Sequence, residues 1–208
     1  MPQLTEAAGA LIDEAILIGT NKPATWPNAI LTEAQTRSHV KSVPASAPDY
    51  YDLILGEGGL ISMVEEDGFF VNGHVASIGL RAKLRGVRDE VGQPIFTPTM
   101  QGANSYMLDG VGVTFPHNGS ITDATVLDIA GDWTQLVYSI RKDISFKVFD
   151  QGVITDPTNS NAIVANLMQQ DMVALRMTMR LGFALPNPVN RVNPSKASRY
   201  PFAVLKTA

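Results

Sequence analysis

Apolar residues recur with a helical period in several stretches of the chain. Over residues 4–18 they return every three or four positions while the acidic residues stay largely off that face, which predicts an amphipathic helix ending near Gly19. Asp49 has the side chain of a helix cap, and the segment 50–67 continues with apolar positions at helical spacing. Glycines at positions 56, 58 and 59 are costly in a helix interior, so we expect this segment to break there.

Other stretches predict further helices and a set of strands. Helices are expected over residues 74–86 and 162–177, with one helical turn near 31–37. Short or alternating apolar runs predict strands over 68–73, 106–115, 124–130, 136–141, 144–149, 180–184 and 202–205. The strands at 124–130 and 136–141 flank Gly131-Asp132 and are expected to pair with each other. Together these elements predict an α+β fold around a mixed or antiparallel sheet.

The composition predicts one large domain or two small ones, because 208 residues bury a sufficient core without disulfides. Charged residues make up 17% of the chain, below the roughly 25% of a typical soluble domain. Either other subunits cover part of the surface, or polar uncharged loops form much of it. A net charge of −4 and a pI near 5.3 argue against a dedicated nucleic-acid binder, although a shell that encloses nucleic acid is compatible with them.

The sequence shows no pattern typical of a metal site or of a membrane-spanning segment. The chain has no cysteine, which excludes disulfides and thiolate ligands and is typical of a reducing cytoplasm. The three histidines, His39, His74 and His117, lie far apart without the spacing of metal ligands. No apolar run approaches the ~20 residues that span a bilayer. We therefore expect a soluble protein with no bound metal and no membrane partner.

Catalytic motifs are also missing. The glycines at 56–59 lack the strand context and the lysine of a phosphate-binding loop. His117 and Ser120 lack a nucleophile elbow, and the acidic loop 150–159 does not match a calcium-binding loop. We expect a structural protein with no enzyme activity, no cofactor and no small-molecule substrate. An enzyme whose site is assembled from scattered residues is the alternative left open.

The densest basic cluster lies on the helix expected over 74–86. Arg81, Arg85 and Arg88 have i, i+4, i+7 spacing, which predicts that they share one helix face beside Lys83. Three interpretations of this face compete. In order of preference, it is a solvated surface, a contact with acidic residues of another subunit such as Glu65 to Asp67, or a contact with phosphate.

Several charged and apolar residues are candidates for contacts between subunits. Acidic partners for the arginines occur at the end of the second helical segment and directly after the cluster, and an apolar pair lies in the long loop 86–104. The full candidate set is Arg81, Arg85, Arg88, Asp89, Glu90, Glu65, Glu66, Asp67, Ile95 and Phe96.

The order of four segments carries a family resemblance. They are ALIDEAILIG at 10–19, AGDWTQLVYSIRKDISFKVFDQ at 130–151, NLMQQDMVALRMTMRLGFALPNP at 166–188 and PFAVL at 201–205. In this order the chain resembles the major capsid proteins of tailed bacteriophages with the HK97-type fold. The resemblance covers nearly the whole chain and is most specific in the final 80 residues.

The resemblance implies an HK97-like fold with an axial and a peripheral domain. Residues 1–48 would hold the end of the spine helix and a connector of the peripheral domain. Residues 49–122 would form the axial domain, with loop 86–104 at its tip near the capsomer axis. Residues 123–208 would supply return strands, the long helix and C-terminal strands shared between both domains. The family's N-terminal arm and extended loop have no counterpart here, which implies a shortened or processed form.

The resemblance also implies a function. The chain would be a structural subunit of an icosahedral bacteriophage or prophage capsid, a homo-oligomer that self-assembles into pentamers and hexamers. The shell would be assembled in the bacterial host cytoplasm, form part of the virion and enclose double-stranded DNA without sequence-specific binding. The alternative within the same fold is an encapsulin-like shell of a bacterial compartment.

Overall fold

The computed structural model describes residues 2–46, 48–89, 91–95, 106–156 and 159–207. The chain divides into two compact units, of which the first comprises Met1–Val137 and Phe183–Ala208 and the second comprises Tyr138–Gly182. The helices are α1 Pro2–Leu17, α2 Ile30–Thr36, α3 Tyr50–Leu55, α4 Leu60–Glu66 and α5 Ile78–Gly86. The strands are β1 Val40–Ser42, β2 Gly73–Ala76, β3 Met107–Leu108, β4 Val111–Thr114, β5 Asp128–Gly131, β6 Val137–Phe149, β7 Val153–Asp156, β8 Ala162–Asn166, β9 Ala174–Ala184 and β10 Phe202–Lys206.

A six-stranded sheet lies at the centre of the first unit. Its strand order is β1-β10-β5-β2-β4-β3, with parallel pairs β1–β10 and β2–β4 and antiparallel pairs elsewhere. The predicted α+β fold with a mixed sheet is therefore confirmed. The predicted pairing of 124–130 with 136–141 is wrong, because β5 pairs with β2 and β10 instead. At Asp132 the chain leaves the sheet, and this side chain caps a short 3-10 helix, Trp133–Gln135.

Strand β10 is buried on both faces. Phe202 and Val204 belong to the core on one side of the sheet, and Ala203 and Leu205 belong to the core on the other. Because helices cover both faces, the segment is a continuous apolar run without polar alternation. The strand predicted at 202–205 is confirmed.

Three short helices, α3 to α5, cover one face of the sheet. Asp49 caps α3 as predicted, and its carboxylate accepts a hydrogen bond from the Tyr51 amide at 2.9 Å. The glycines separate α3 from α4, and a Cβ at Gly59 would lie 2.8 Å from the Gly56 carbonyl oxygen. The predicted break in this helical segment is confirmed. The side chains that α3, α4 and α5 bury against the sheet include Leu53, Ile54, Leu60, Val64, Leu80 and Leu84.

Helices α1 and α2 contribute to the core on the opposite face. Leu17 from α1 and Ile30 from α2 pack there with Tyr200, whose hydroxyl donates to the Ile30 carbonyl at 3.3 Å. The predicted helix over 4–18 and the helical turn near 31–37 are both confirmed.

The Gly-Asp-Trp segment closes one end of the sheet. Asn72 Nδ2 donates to Asp132 Oδ1 at 2.8 Å, and the Trp133 indole N–H donates to the Gly73 carbonyl at 2.9 Å. The Trp133 ring also lies edge-on to Phe202, with centroids 5.1 Å apart. A segment that carries the sequence resemblance therefore joins the start of β2 to the end of β5 and the start of β10.

The second unit consists of two-stranded sheets. β6 pairs with β9, and β7 pairs antiparallel with β8. The long helix predicted over 162–177 is wrong, because this stretch forms β8, a turn and the beginning of β9. Asn161 and Asp171 have positive φ angles of 56° and 52°, and they lie where the chain turns.

Three predictions in the first unit also differ from the structure. The segment predicted as a helix from residue 74 begins instead with β2, and α5 starts only after Ser77, whose hydroxyl accepts a hydrogen bond from the Leu80 amide. The segment 68–73 is not a strand, except for Gly73 at its end. The strand predicted over 106–115 is the hairpin β3–β4, which turns at Asp109-Gly110.

Buried histidines pair with aspartates inside the first unit. His74 Nδ1 lies 2.9 Å from Asp128 Oδ2, and both side chains are fully buried. Over the residues that the structure describes, no group of three or more His, Cys, Asp and Glu side chains is placed to hold a metal ion. In the same described ranges, no helix has both the length and the apolar character needed to cross a bilayer.

Candidate subunit interface

Arg81 is turned toward its own chain. Its guanidinium donates to the Tyr106 hydroxyl and lies over the Tyr106 ring, 4.4 Å from the centroid. This contact joins α5 to the residue that precedes β3. Because a stacked and hydrogen-bonded arginine is held in place, Arg81 stabilises this part of the subunit rather than offering a charge to a neighbour.

Arg85 and Arg88 are exposed, but Arg88 does not lie on the helix that carries Arg81 and Arg85. Helix α5 ends at Gly86, so Arg88 lies in the following loop, where its backbone forms an isolated bridge with Pro94. The prediction of one helix face for the three arginines is therefore wrong. The i, i+4, i+7 spacing does not place the three arginines on one face, because the helix ends before Arg88.

Asp89 bonds to the backbone of residues 91–93. The Asp89 carboxylate accepts hydrogen bonds from the Val91 amide at 3.0 Å and the Gln93 amide at 2.6 Å. The Asp89 amide donates to the Gln93 carbonyl at 2.9 Å. Asp89 thus uses its carboxylate within its own turn, whereas Glu90 lies outside the described residues.

The acidic end of α4 divides into two parts. Glu65 and Glu66 are exposed. Asp67 is buried: its Oδ2 lies 2.8 Å from His39 Nε2 and accepts a hydrogen bond from the Tyr200 amide at 2.6 Å. This is a correction to the predicted acidic surface, because Asp67 holds the segment before β10 within its own subunit.

Ile95 borders an apolar cleft of about 170 Å³. The cleft lies between α3, the end of α5 and the β3–β4 hairpin, with Tyr51, Leu55, Val87, Ile95, Met107 and Asp109 among its lining residues. Ile95 is 47% exposed and its amide donates to the Val87 carbonyl at 3.3 Å. Phe96, its predicted partner in the apolar island, lies outside the described residues.

Sequence reasoning missed part of this surface. Val91 is 82% exposed at the tip of the turn, and Met107 and Tyr51 are half-exposed at the cleft. A single valine among the polar residues of a turn was the available signal. The contribution of Tyr51 and Met107 depends on α3 and β3 meeting in space, and no local pattern reveals that.

Solved structures with the same fold are phage proteins. One from Microbacterium phage Oxtober96 superposes with a TM-score of 0.78 at 28% identity, over 100% of this chain and 64% of its own. One from Mycobacterium phage Cain has a TM-score of 0.73 at 23% identity, over 98% of this chain and 62% of its own, and supports the fold alone. These similarities define the fold class as α+β of the HK97 type.

Sequence comparison gives the family. The model of the phage capsid family matches residues 1–190, and the chain belongs to this family. The major capsid protein of Staphylococcus phage 80alpha is 29% identical over 122 residues, 59% of this chain and 36% of the relative. The probable major capsid protein gp17 of Mycobacterium phage D29 is 25% identical over 185 residues, 87% of this chain and 56% of the relative.

These comparisons confirm the resemblance read from the sequence. The chain belongs to the phage capsid family, and both curated relatives carry the name of a major capsid protein. It spans 36% and 56% of the length of the two capsid relatives and 64% of the Oxtober96 chain.

Proposed function

We propose that the chain is the structural subunit of an icosahedral bacteriophage or prophage capsid, self-assembling into pentamers and hexamers. The observation that carries this proposal is the family match over residues 1–190, joined to a fold similarity that covers the entire chain. The subunit has a structural role and no catalytic one, and it encloses double-stranded DNA without reading its sequence.

In this proposal the domain assignment follows the resemblance. Residues 49–122 form the axial domain, which is supported by the packing of α3, α4 and α5 on one core. Residues 1–48 belong to the peripheral domain, and residues 123–208 are shared between the two.

Contacts between neighbouring subunits use the exposed members of the candidate set. Arg85 and Arg88 of one subunit face Glu65 and Glu66 of the next, which is supported by the exposure of all four side chains and their opposite charges. Exposed pairs of this kind contribute little individually, so the assembly depends on many repeated contacts.

The test is to produce the chain alone and within the longest reading frame that contains it. Negative-stain electron microscopy is expected to show closed shells or rings of five and six subunits. Nuclease-protected double-stranded DNA in shells from infected or induced cells tests the enclosure of a genome. Dispersed monomers at high concentration in both preparations would contradict the proposal.

A further inference from the structure

We propose that a proton held between His39 and Asp67 fixes the linking segment 185–200, which joins β9 to β10, and that raising the pH releases this segment. The inference concerns a single subunit, so it stands apart from the proposed function. It rests on the hydrogen-bond partners that surround the two side chains.

Both ring nitrogens of His39 face oxygen atoms that only accept hydrogen bonds. Nδ1 lies 2.9 Å from the Arg37 carbonyl oxygen, and Nε2 lies 2.8 Å from Asp67 Oδ2. A neutral imidazole has one N–H, so it donates to one of these acceptors and turns a bare lone pair toward the other. An imidazolium donates to both. The geometry therefore requires one proton more than a neutral His39 and an ionised Asp67 carry together.

The hydrogen bonds of Asp67 place this proton on His39 Nε2 rather than on the carboxyl group. Asp67 Oδ2 also accepts the Tyr200 amide at 2.6 Å, and Oδ1 accepts Asn193 Nδ2 at 2.7 Å. Hydrogen bonds to a carboxylate favour its ionised form. The side chains of His39 and Asp67 are only 10% and 9% exposed, so salt screens this ion pair weakly.

The other buried histidine has a different arrangement. His74 Nδ1 lies 2.9 Å from Asp128 Oδ2, but among the described residues His74 Nε2 has no hydrogen-bond partner. A neutral ring with a single N–H satisfies that geometry. His39 is thus the buried histidine whose contacts require a proton on both ring nitrogens.

Asp67 also anchors the linking segment. Its carbonyl accepts a hydrogen bond from Asn190 Nδ2 at 2.7 Å, in addition to the two bonds that its carboxylate accepts from this segment. The described residues 185–200 contain no helix or strand. Their path is therefore fixed by contacts to Asp67 and by the buried Arg199, whose Nε donates to Asn187 Oδ1 at 2.9 Å and whose guanidinium donates to the Asn193 carbonyl at 2.6 Å.

Loss of the proton weakens this anchor. His39 Nε2 and Asp67 Oδ2 would then be two acceptors in contact, and the buried carboxylate would lose its cation. Because the Tyr200 amide binds the same carboxylate oxygen, any movement of Asp67 away from His39 disturbs the linking segment. We expect the segment to open locally, while the sheet beneath it stays intact.

The neighbouring ionisable groups keep their charge between pH 6 and pH 9. Arg37 and Arg199 stay protonated. The pKa of Glu33 is lowered, chiefly by the hydrogen bond from Asn28, so this carboxylate stays ionised. Burial raises the pKa of Tyr200, so its hydroxyl stays neutral. Among these groups, the shared proton is the one that changes over this range.

The direction of the pH effect follows from the extra proton. An unfolded histidine releases its proton near neutral pH, whereas the folded pair holds it. The folded chain then binds more protons than the unfolded chain, so its stability is complete in acid and falls as the pH rises. One proton changes the equilibrium constant of unfolding by up to about tenfold per pH unit.

Nitrogen-15 NMR of the histidine rings tests the protonation state. The chain has three histidines, and His39→Gln identifies the His39 signals by their loss. At pH 7.5 both ring nitrogens of His39 are expected to be protonated, whereas in urea they should show a neutral ring. If no ring of the folded parent has two protonated nitrogens at this pH, the proposal is wrong, whether or not the variant folds.

Hydrogen exchange at pH 6 and pH 8.5, corrected for the intrinsic rate, measures release of the linking segment. Peptides from 185–200 are expected to lose protection at the higher pH, whereas peptides from β10 keep it. In His39→Gln the linking segment should be poorly protected at both values. His117→Gln is the matched control, because His117 is exposed, and it should behave like the parent. Unchanged protection of 185–200 in the parent would overturn the proposal.

Urea unfolding between pH 6 and pH 9 measures the linked proton. The unfolding constant of the parent and of His117→Gln should rise more steeply with pH than that of His39→Gln. An equally steep rise in His39→Gln would show that the proton is not held at this pair. None of these measurements requires assembly, so the outcome is independent of whether the chain forms a shell.

Discussion

Gly131 lies where no side chain fits. A Cβ on this residue would be 2.3 Å from Phe202 Cδ1 and 2.5 Å from the Pro201 carbonyl oxygen, at the junction of β5 and β10. We expect Gly131→Ala to destabilise the chain by about 1–3 kcal/mol, because backbone and an aromatic ring must shift to make room. Gly112→Ala is the matched control, since a methyl group on that strand glycine would have no atom within 4 Å. Denaturant unfolding of both variants checks the prediction, and equal stability losses would contradict it.

Glu33 makes the stability of the α2 region depend on pH. A hydrogen bond from Asn28 and the guanidinium of Arg37 hold the pKa of Glu33 below its ordinary 4.5, although burial opposes them. Arg37 also donates to the Arg199 carbonyl at 3.0 Å, next to Tyr200, whose own pKa is raised by burial. The network therefore connects α2 to the segment before β10.

The direction of the pH effect follows from the lowered pKa. The fold favours the carboxylate, so its stabilisation is complete above pH 4.5 and is lost as the pH falls through the lower folded value. We expect Glu33→Gln to be less stable than the parent at pH 6 and to lose less stability on acidification. Urea unfolding between pH 6 and pH 3 measures this. The exposed control is Glu6→Gln. If Glu33→Gln loses free energy of unfolding between pH 6 and pH 3 as steeply as this control does, the prediction is contradicted.

At the scale of elements, the helices of the first unit were largely predictable, and the strands predicted at 136–141, 144–149 and 180–184 lie within β6 and β9, whereas the helix predicted over 162–177 is wrong. The segment 162–177 has residues of high helix propensity, and Ile163, Leu167 and Ala174 lie at helical spacing. From residue 174 onward, however, Leu175, Met177, Met179, Leu181 and Phe183 alternate with polar or small residues, as expected for a strand. The alternation was present in the sequence. The sequence does not show that this strand, β9, pairs with β6 about 30 residues earlier, because the hydrogen bonds between the two strands are tertiary contacts.

The candidate interface was predictable only in part. The exposure of Arg85 and Arg88 follows from charge, whereas the inward position of Arg81 depends on Tyr106, which is distant in sequence. Asp67 was misassigned for the same reason, because its partner His39 comes from a different element. Sequence patterns identify which residues are polar, but only the packing of α4 and α5 decides which of them are exposed.

Helix α5 and its loop therefore give an electrostatic prediction. Arg85→Glu is expected to weaken assembly several-fold at low salt and much less at high salt, because the contact between exposed charges is screened. Arg81→Glu should instead lower the stability of the isolated subunit, since it removes the stacking on Tyr106. Arg191→Glu, an exposed control outside this surface, should do neither. Light scattering across a salt series measures assembly, and a salt-independent loss for Arg85→Glu would contradict the pairing.

At the scale of the whole molecule, the two units differ in how much they bury. The first has apolar cores on both faces of its sheet, whereas in the described residues of Tyr138–Gly182 only Ala165 and Leu167 are buried. Two-stranded sheets without a covering layer are marginally stable in water. Exposed side chains on these strands include Tyr138, Ile140, Phe146, Val148, Ile163 and Val164.

This contrast predicts where the subunit gains protection on assembly. In the dissociated chain, backbone amides of 138–182 should exchange with deuterium far faster than those of β10, because local opening there exposes little additional apolar surface. In the proposed assembled particles, we expect neighbouring subunits to cover these strands and to slow the exchange. Peptides from β10 are the internal control, since their protection should be high in both states. Hydrogen–deuterium exchange followed by mass spectrometry makes the comparison. Equal protection of 138–182 before and after assembly would mean that this unit is stable by itself, so that its exposed apolar strands need another explanation.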